Sequence, residues 1–221
     1  MSTPVALDGN VCRKMGRRSA RLLLVFAIIA VIGAVAITAV STGHGTTSSK
    51  RGLVGILEVL RRPQTKADLK LGPLRTAALR RMTSRGHTPV RSLIRLAATQ
   101  PDGRKVFLVP MRPAHQAANH TNLTLAVFAA GGAGCCVTAA DIEARGSWLS
   151  GGPPQQLVAV VPDGVAKVSA LIPLPPHFRH SRAVSAPVHN NVAVFLLHRA
   201  IDSPGGFIWY GPTGAIIKRI G

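Results

Sequence analysis

Apolar residues follow two different spacings along this chain, and the spacing changes near residue 100. Within Leu53–Leu60 they fall at i, i+3, i+4 and i+7, which places them on one face of a short helix. The same spacing recurs within Val90–Ala97, directly after Thr88-Pro89, which reads as an N-cap followed by proline at the first helical position. The pattern therefore predicts short helices over residues 51–100.

After residue 100, short apolar and β-branched runs alternate with turn residues. These runs are 104–109, 123–129, 156–161, 165–172, 192–198, 207–210 and 215–220. Tight turns such as Pro162-Asp163-Gly164 favour antiparallel pairing, because parallel strands need long crossovers. We therefore expect an antiparallel sheet of about six to seven strands over residues 101–221. One hairpin would join 156–161 to 165–172, and the last three runs would form a meander.

The N-terminal region contains an uncharged apolar segment, Leu22–Val40. Nineteen residues at the helical rise span about 28 Å, close to the hydrocarbon thickness of a bilayer. Five cations precede the segment, and the next cation after it is Lys50. The positive-inside rule predicts a single-pass signal anchor with residues 1–21 in the cytoplasm and an extracytoplasmic C-terminal domain. The alternative is a secreted protein cleaved at the small-residue pattern near Ala36.

The predicted fold class is α+β, with one N-terminal transmembrane helix. The predicted organisation is a basic cytoplasmic tail (1–21), a transmembrane helix (22–40), a flexible linker (41–50), a basic helical segment (51–100) and an antiparallel β domain (101–221). The linker prediction follows from a run rich in Ser, Thr and Gly, a composition typical of tethers. The lipid bilayer is the partner that the predicted span implies.

Two short stretches of the chain are Val59–Thr65, with Asp68 after it, and Val161–Val165. They resemble segments of uncharacterised single-pass or exported proteins from high-GC Gram-positive bacteria. The excess of 20 Arg over 7 Lys suits a GC-rich genome. The resemblance implies a basic N-terminus, one membrane span and an exported domain of this size. It brings no catalytic residue and no cofactor to this chain.

Charge is the largest compositional signal, with 27 Lys and Arg against 8 Asp and Glu. The 47% of hydrophobic residues excludes a disordered chain. Residues 50–112 hold 15 of the cations and three acids. Such a cluster suits docking on anionic lipid or a wall polymer, where each cation contributes about 1 kcal/mol, although it is equally compatible with a solvated cationic face. The candidate binding residues are Arg61, Arg62, Arg80, Arg81, Arg91 and Arg95.

Cys135 and Cys136 are adjacent in sequence, and Cys12 would lie on the other side of the membrane. Neighbouring Cα atoms are about 3.8 Å apart, below the usual range for a disulfide, so an internal bridge would be strained and easily reduced. Three states remain open: a vicinal disulfide, an intermolecular bridge, or two buried thiols that act as small hydrophobes. The pair supports an alternative function as a thiol-dependent envelope enzyme or redox protein.

Other chemistries find little support in the sequence. A sortase-like transpeptidase would combine Cys136 with His120 and Arg145, but the Thr-Leu-x-Thr-Cys strand of those enzymes is absent. His177 and His180 follow two prolines, which favours a surface loop, so we expect no metal and no cofactor. Nucleic acid is not expected, because the basic run carries no aromatic residue before Arg104. The sequence favours a non-enzymatic binding or accessory protein with an unknown protein partner.

Overall fold

In the computed structural model, antiparallel strands dominate the chain after residue 50. The structure describes residues 51–70, 73–100, 102–114, 122–129, 132–151, 155–174, 181–198, 201 and 203–221. The predicted cytoplasmic tail (1–21), transmembrane helix (22–40) and linker (41–50) lie outside these residues.

The helices among the described residues are short. They are α1 (Leu53–Ile56), α2 (Glu58–Arg61), α3 (Pro73–Ser84) and α4 (Ala139–Arg145), with a 3-10 turn at Arg91–Leu93. The apolar stripe of Leu53–Leu60 is buried at the four predicted positions, although the chain forms two single turns there instead of one helix. The helix α4 begins at a capping box, in which the N–H of Asp141 donates to Thr138 Oγ1 at 3.1 Å.

Five strands form the first sheet. They are β1 (Thr88–Pro89), β2 (Arg95–Thr99), β3 (Lys105–Arg112), β4 (Thr124–Ala129) and β5 (Gly132–Val137). The order is β1-β3-β4-β5, and β2 also pairs with β3, so that β1 and β2 follow one another along the same edge of β3. All pairs in this sheet are antiparallel.

Seven strands form the second sheet, in the order β12-β11-β8-β9-β10-β7-β6. They are β6 (Ser147–Gly151), β7 (Gln156–Val160), β8 (Lys167–Pro173), β9 (Ser181–His189), β10 (Val192–Leu196), β11 (Phe207–Tyr210) and β12 (Ile216–Ile220). The hairpin between β9 and β10 turns through Asn190 and Asn191, which both have positive φ, at 50° and 64°. Positive φ at both central residues is the requirement of the type I′ turn that suits a two-residue hairpin.

The core lies on both faces of the central strands. On β3, Val106 and Leu108 belong to a cluster that also contains β7, α1 and α2, whereas Phe107 and Val109 belong to a cluster covered by α3. A third cluster lies on the opposite face of β7, around Leu157 and Ala159. Strands buried on both faces are continuous apolar runs, which explains why their sequences do not alternate.

The predicted α+β class with short basic helices is wrong, because the structure is mostly β-sheet in two sheets. The helix predicted over Val90–Ala97 is absent: a 3-10 turn is followed by β2, whose residue Arg95 pairs with Leu108. Three residues at helical spacing, Val90, Leu93 and Ala97, still pack on the core. The spacing was therefore misleading, because a turn between two extended segments can bury the same residues as a helix.

The seven predicted strand positions agree with β3, β4, β7, β8, β10, β11 and β12. The predicted hairpin between 156–161 and 165–172 is wrong, because β7 pairs with β6 and β10, whereas β8 pairs with β9 and β11. Of the predicted meander, only the pair β11–β12 forms. Five strands were not predicted, including β9, most of whose side chains are exposed.

The predicted transmembrane, single-pass and signal-anchor character is corrected by a further finding. Within the described ranges, the chain contains no helix that is long and apolar enough to cross a membrane. Residues 22–40, on which that prediction depended, lie outside those ranges.

Candidate functional site

Cys135 and Cys136 form a disulfide bond between neighbouring residues, with their Cα atoms 3.7 Å apart. Both side chains are half-buried on β5. Of the three states that the sequence left open, the structure therefore has the vicinal bridge. A disulfide bond between adjacent residues closes a very small ring that includes the peptide bond between them. The ring restricts the backbone of both cysteines as well as their side chains.

The disulfide lies in a β-bulge. On β4, Leu125 pairs with Val137 and Val127 pairs with Gly134. One residue of β4 therefore faces the two cysteines of β5, which is the pattern of a bulge. Bulges occur often beside active sites, because the extra residue redirects a side chain out of the regular ladder.

The backbone of Cys136 is in an unusual conformation, with φ at +77°. A residue other than glycine adopts positive φ at a cost of about 1–3 kcal/mol, and residues in such conformations cluster at functional sites. The bulge and the covalent link to Cys135 hold the residue there. The sequence offers no sign of this conformation, because cysteine has no preference for positive φ.

His87 is the residue that completes the site. Its imidazole Nε2 lies 3.4 Å from Cys136 Sγ, and its Nδ1 lies 3.7 Å from the same sulfur. The ligand atoms of His87, Cys135 and Cys136 all lie within 4.8 Å of one another. All three residues are half-buried, so the site is partly shielded and still reachable from the surface.

The end of α3 fixes the position of His87. After the helix, the N–H of Gly86 donates to the carbonyl of Thr83 at 2.9 Å, and the N–H of His87 donates to the carbonyl of Met82 at 3.1 Å. Gly86 has φ at +86°, and a Cβ added there would lie 2.6 Å from the Cβ of Ala114. Glycine is therefore required both for the turn and for the close approach.

The two sulfurs have different surroundings. Cys135 packs against the cluster beneath α3, whose partly buried members include Leu79 and Met82. The Cys136 sulfur contacts the imidazole of His87 instead. One end of the disulfide is therefore in an apolar environment, and the other end has a polar group that can donate a hydrogen bond.

No pattern in the sequence predicted a role for His87. It lies 49 residues from Cys136, and no local motif links the two. The sortase-like combination paired Cys136 with His120, which lies outside the described residues, and with Arg145. The structure instead pairs the exposed Arg145 side chain with Asp141, at 3.1 Å on α4.

Three of the six candidate arginines make contacts within the protein. The Arg95 side chain is buried and donates to backbone carbonyls, among them Arg62 O at 2.8 Å and Ser92 O at 2.7 Å. Burial lowers the pKa of Arg95, against the attraction of nearby Asp68. Arg61 forms an ion pair with Asp163 at 2.8 Å.

Arg62 forms an ion pair with Asp68, which has 0% exposure. The carboxylate also accepts hydrogen bonds from the N–H groups of Thr65 at 2.5 Å and Leu96 at 2.7 Å. Burial by itself raises the pKa of Asp68, but the hydrogen bonds from Arg62, Thr65 and Leu96 together hold that pKa well below its ordinary value. The hydroxyl of Thr65 also donates to the Asp68 carboxylate at 2.9 Å, within a turn of the chain.

The other three candidate arginines are exposed. Arg80 and Arg81 lie on α3, and Arg91 begins the 3-10 turn. Within the described part of the chain, none of the three makes an ion pair with a carboxylate. Their guanidinium groups are therefore accessible to an external anion.

Comparison of the chain with protein-family models, with curated proteins and with solved structures found no match. The resemblance to exported proteins of high-GC Gram-positive bacteria stays a prediction.

Proposed function

We propose that this protein is a thiol–disulfide redox protein that works through the Cys135–Cys136 bond. The observation that carries the proposal is the contact of 3.4 Å between His87 Nε2 and Cys136 Sγ. The disulfide supplies a bond that can be exchanged. The imidazole of His87 stabilises the Cys136 sulfur when that bond breaks.

The reaction is an exchange of disulfides in two steps. An incoming thiolate attacks Cys135 Sγ, a new S–S bond forms, and the Cys135–Cys136 bond breaks with its electron pair on Cys136. A second external thiolate then attacks the external sulfur of this mixed disulfide and releases Cys135 as a thiolate. Two external thiols are oxidised to a disulfide, the protein disulfide is reduced to two thiols, and the protons stay in balance.

His87 supports the first step. An imidazole N–H at this distance can donate a hydrogen bond to the thiolate that develops on Cys136. A hydrogen bond to a charged group contributes about 1.5 kcal/mol or more, which corresponds to roughly a tenfold change in rate. Because Cys135 contacts no such donor among the described residues and packs on apolar side chains, Cys136 is the better leaving group.

Counting thiols in the native protein tests the proposal. In a Cys12→Ser background, the folded chain is treated with a maleimide before and after a dithiol reductant. We expect no label before reduction and two labels after it. Labelling only after denaturation, or two labels without reductant, contradicts the proposal.

The role of His87 has its own test. His87→Ala should slow reduction by the dithiol roughly tenfold. His189→Ala is the matched control, because His189 is an exposed residue at the end of β9. Equal rates in the two variants would exclude a role for His87 in the exchange.

A second candidate function, docking on an anionic surface, is favoured by the exposed side chains of Arg80, Arg81 and Arg91. The double variant Arg80→Gln/Arg81→Gln should bind anionic vesicles and a teichoic-acid-like polymer more weakly, with a flatter dependence on salt. Arg182→Gln/Arg219→Gln removes the same charge from two other exposed positions on β9 and β12. Equal losses in the two double variants would show that net charge, and not this site, determines binding.

A further inference from the structure

His87, Cys135 and Cys136 offer three ligand atoms within 4.8 Å of one another. In the oxidised protein the two sulfurs bond to each other, which leaves them poor metal ligands. Reduction turns the same atoms into two thiols beside an imidazole. Two thiolates bound to one metal ion lie roughly 4 Å apart, given metal–sulfur bonds of about 2.3 Å.

We propose that the reduced site binds a single Cu(I) ion through Cys135 Sγ, Cys136 Sγ and one ring nitrogen of His87. This inference rests on the proposed function in one respect: the disulfide must be reducible in the folded protein. It adds that the redox state of the bond determines whether the metal site exists.

The ligand set selects for a soft ion. Thiolates favour Cu(I), Zn(II) and iron–sulfur clusters, whereas carboxylates and carbonyls favour hard cations. Among the residues that the structure describes, no carboxylate, further cysteine or further histidine belongs to this group. Cu(I) is satisfied by three ligands, but a structural Zn(II) site requires four, so the set fits Cu(I) better.

The backbone of the fold places the ligands before the metal arrives. Cys135 and Cys136 are joined by a peptide bond within the bulge, where their sulfurs meet, and His87 is held by the turn at Gly86. Only the sulfurs have to separate, by rotation about their side-chain bonds. The half-buried position limits the access of water and oxygen, which protects a Cu(I) thiolate.

The site forms in two stages, reduction of the disulfide and binding of Cu(I). A dithiol reductant supplies two electrons and two protons to the disulfide and becomes a cyclic disulfide itself. Cu(I) then replaces the two thiol protons and binds the neutral imidazole, which gives a complex with one net negative charge and releases two protons. Reoxidation of the two thiolates by an external disulfide removes the sulfur ligands and releases the ion.

The experiment uses the full chain in a Cys12→Ser background, reduced with a phosphine and freed of excess reductant under argon. A chromophoric Cu(I) chelator competes for the metal, and X-ray absorption counts the ligands. We expect one Cu(I) per chain, two sulfurs and one nitrogen in the first shell, and no binding by the oxidised protein.

Variants test each ligand. Cys135→Ser and Cys136→Ser should each abolish the site, and His87→Ala should lower the affinity for Cu(I) by at least about tenfold and remove the nitrogen from the first shell. His189→Ala should leave both unchanged. The inference is overturned if His87→Ala leaves both the affinity for Cu(I) and the set of metal ligands unchanged. It is also overturned if the oxidised chain retains Cu(I).

The thiol count separates this inference from the proposed function. If two thiols appear on reduction and Cu(I) still does not bind, the metal site is wrong and the redox function stands. If the disulfide cannot be reduced in the folded chain, both proposals fall.

Discussion

Arg62 and Asp68 form a two-point ion pair, with Nη2 to Oδ1 at 2.6 Å and Nη1 to Oδ2 at 3.0 Å. The carboxylate is fully buried, and 29% of the arginine side chain is exposed. The same carboxylate accepts the N–H of Leu96 at the start of β2. This pair therefore ties the turn after α2 to the edge of the first sheet.

Asp68→Asn should destabilise the protein by about 3 kcal/mol, because it leaves the Arg62 charge without its partner and weakens the hydrogen bond from Leu96. Urea unfolding followed by circular dichroism measures the free energy of unfolding. Asp102→Asn is the matched control, because the Asp102 carboxylate, which pairs with Arg104 at 2.6 Å, is 45% exposed and should contribute much less. Equal losses in the two variants would contradict the structural role of Asp68.

The stability of the protein should fall as the pH is lowered through the acid range. The pKa of Asp68 in the folded protein lies below its ordinary value, because the hydrogen bonds from Arg62, Thr65 and Leu96 outweigh the opposing effect of burial. The unfolded chain therefore binds a proton first, near pH 4, and the stabilisation that is complete above that pH is lost below it. The free energy of unfolding, measured in urea between about pH 2.5 and pH 6, should show this loss. The slope should be shallower in Asp68→Asn; an unchanged slope would assign the effect to other acids.

Gly86→Ala should destabilise the protein by more than about 1 kcal/mol, since alanine disfavours positive φ and its Cβ would meet Ala114 at 2.6 Å. Gly103→Ala is a control for the first effect alone, because Gly103 has φ at +79° with nothing within 4 Å of the added Cβ. The difference between the two variants isolates the close contact. Gly86→Ala should also slow reduction of the disulfide, because the turn positions His87; the rate of Gly103→Ala should not change.

The strain at Cys136 can be measured without the disulfide. In a Cys135→Ser background, Cys136→Gly should be more stable than Cys136→Ser by about 1 kcal/mol, because glycine adopts φ near +77° without cost. Chemical unfolding of the two double variants gives the comparison. A more stable serine variant would show that the bulge relaxes when the bond is absent.

Local sequence patterns predicted much of the second sheet. Phe207–Tyr210 forms β11 with the predicted limits, because a short apolar run between glycines and prolines has few alternatives. Apart from the β11–β12 pair, the predicted pairing was wrong, because the partners of β8 and β10 include β9, whose exposed Ser and Arg residues carry little apolar periodicity. The adjacent residues Asn190 and Asn191, which both tolerate positive φ, indicated a hairpin turn before β10.

The candidate site was predictable only in part. The adjacency of Cys135 and Cys136 indicated redox chemistry, but nothing near them in sequence indicates His87. That contact exists because α3 and Cys135 pack on the same apolar cluster, and His87, just after the helix, lies beside Cys136. The arginines show the same limit: composition identified Arg95 as a surface cation, whereas β2 turns its side chain onto backbone carbonyls.

The strand β12 lies at one edge of the second sheet and exposes Ile216 and Ile217. An apolar edge strand of this kind invites a second copy to add its own edge strand, which is a route to fibrous aggregates. The next two residues are cations: Lys218 donates to the carbonyl of Glu143 at 2.8 Å, and Arg219 is exposed. Two such edges brought side by side would place like charges close together, so the same segment that exposes isoleucine also repels its own copies.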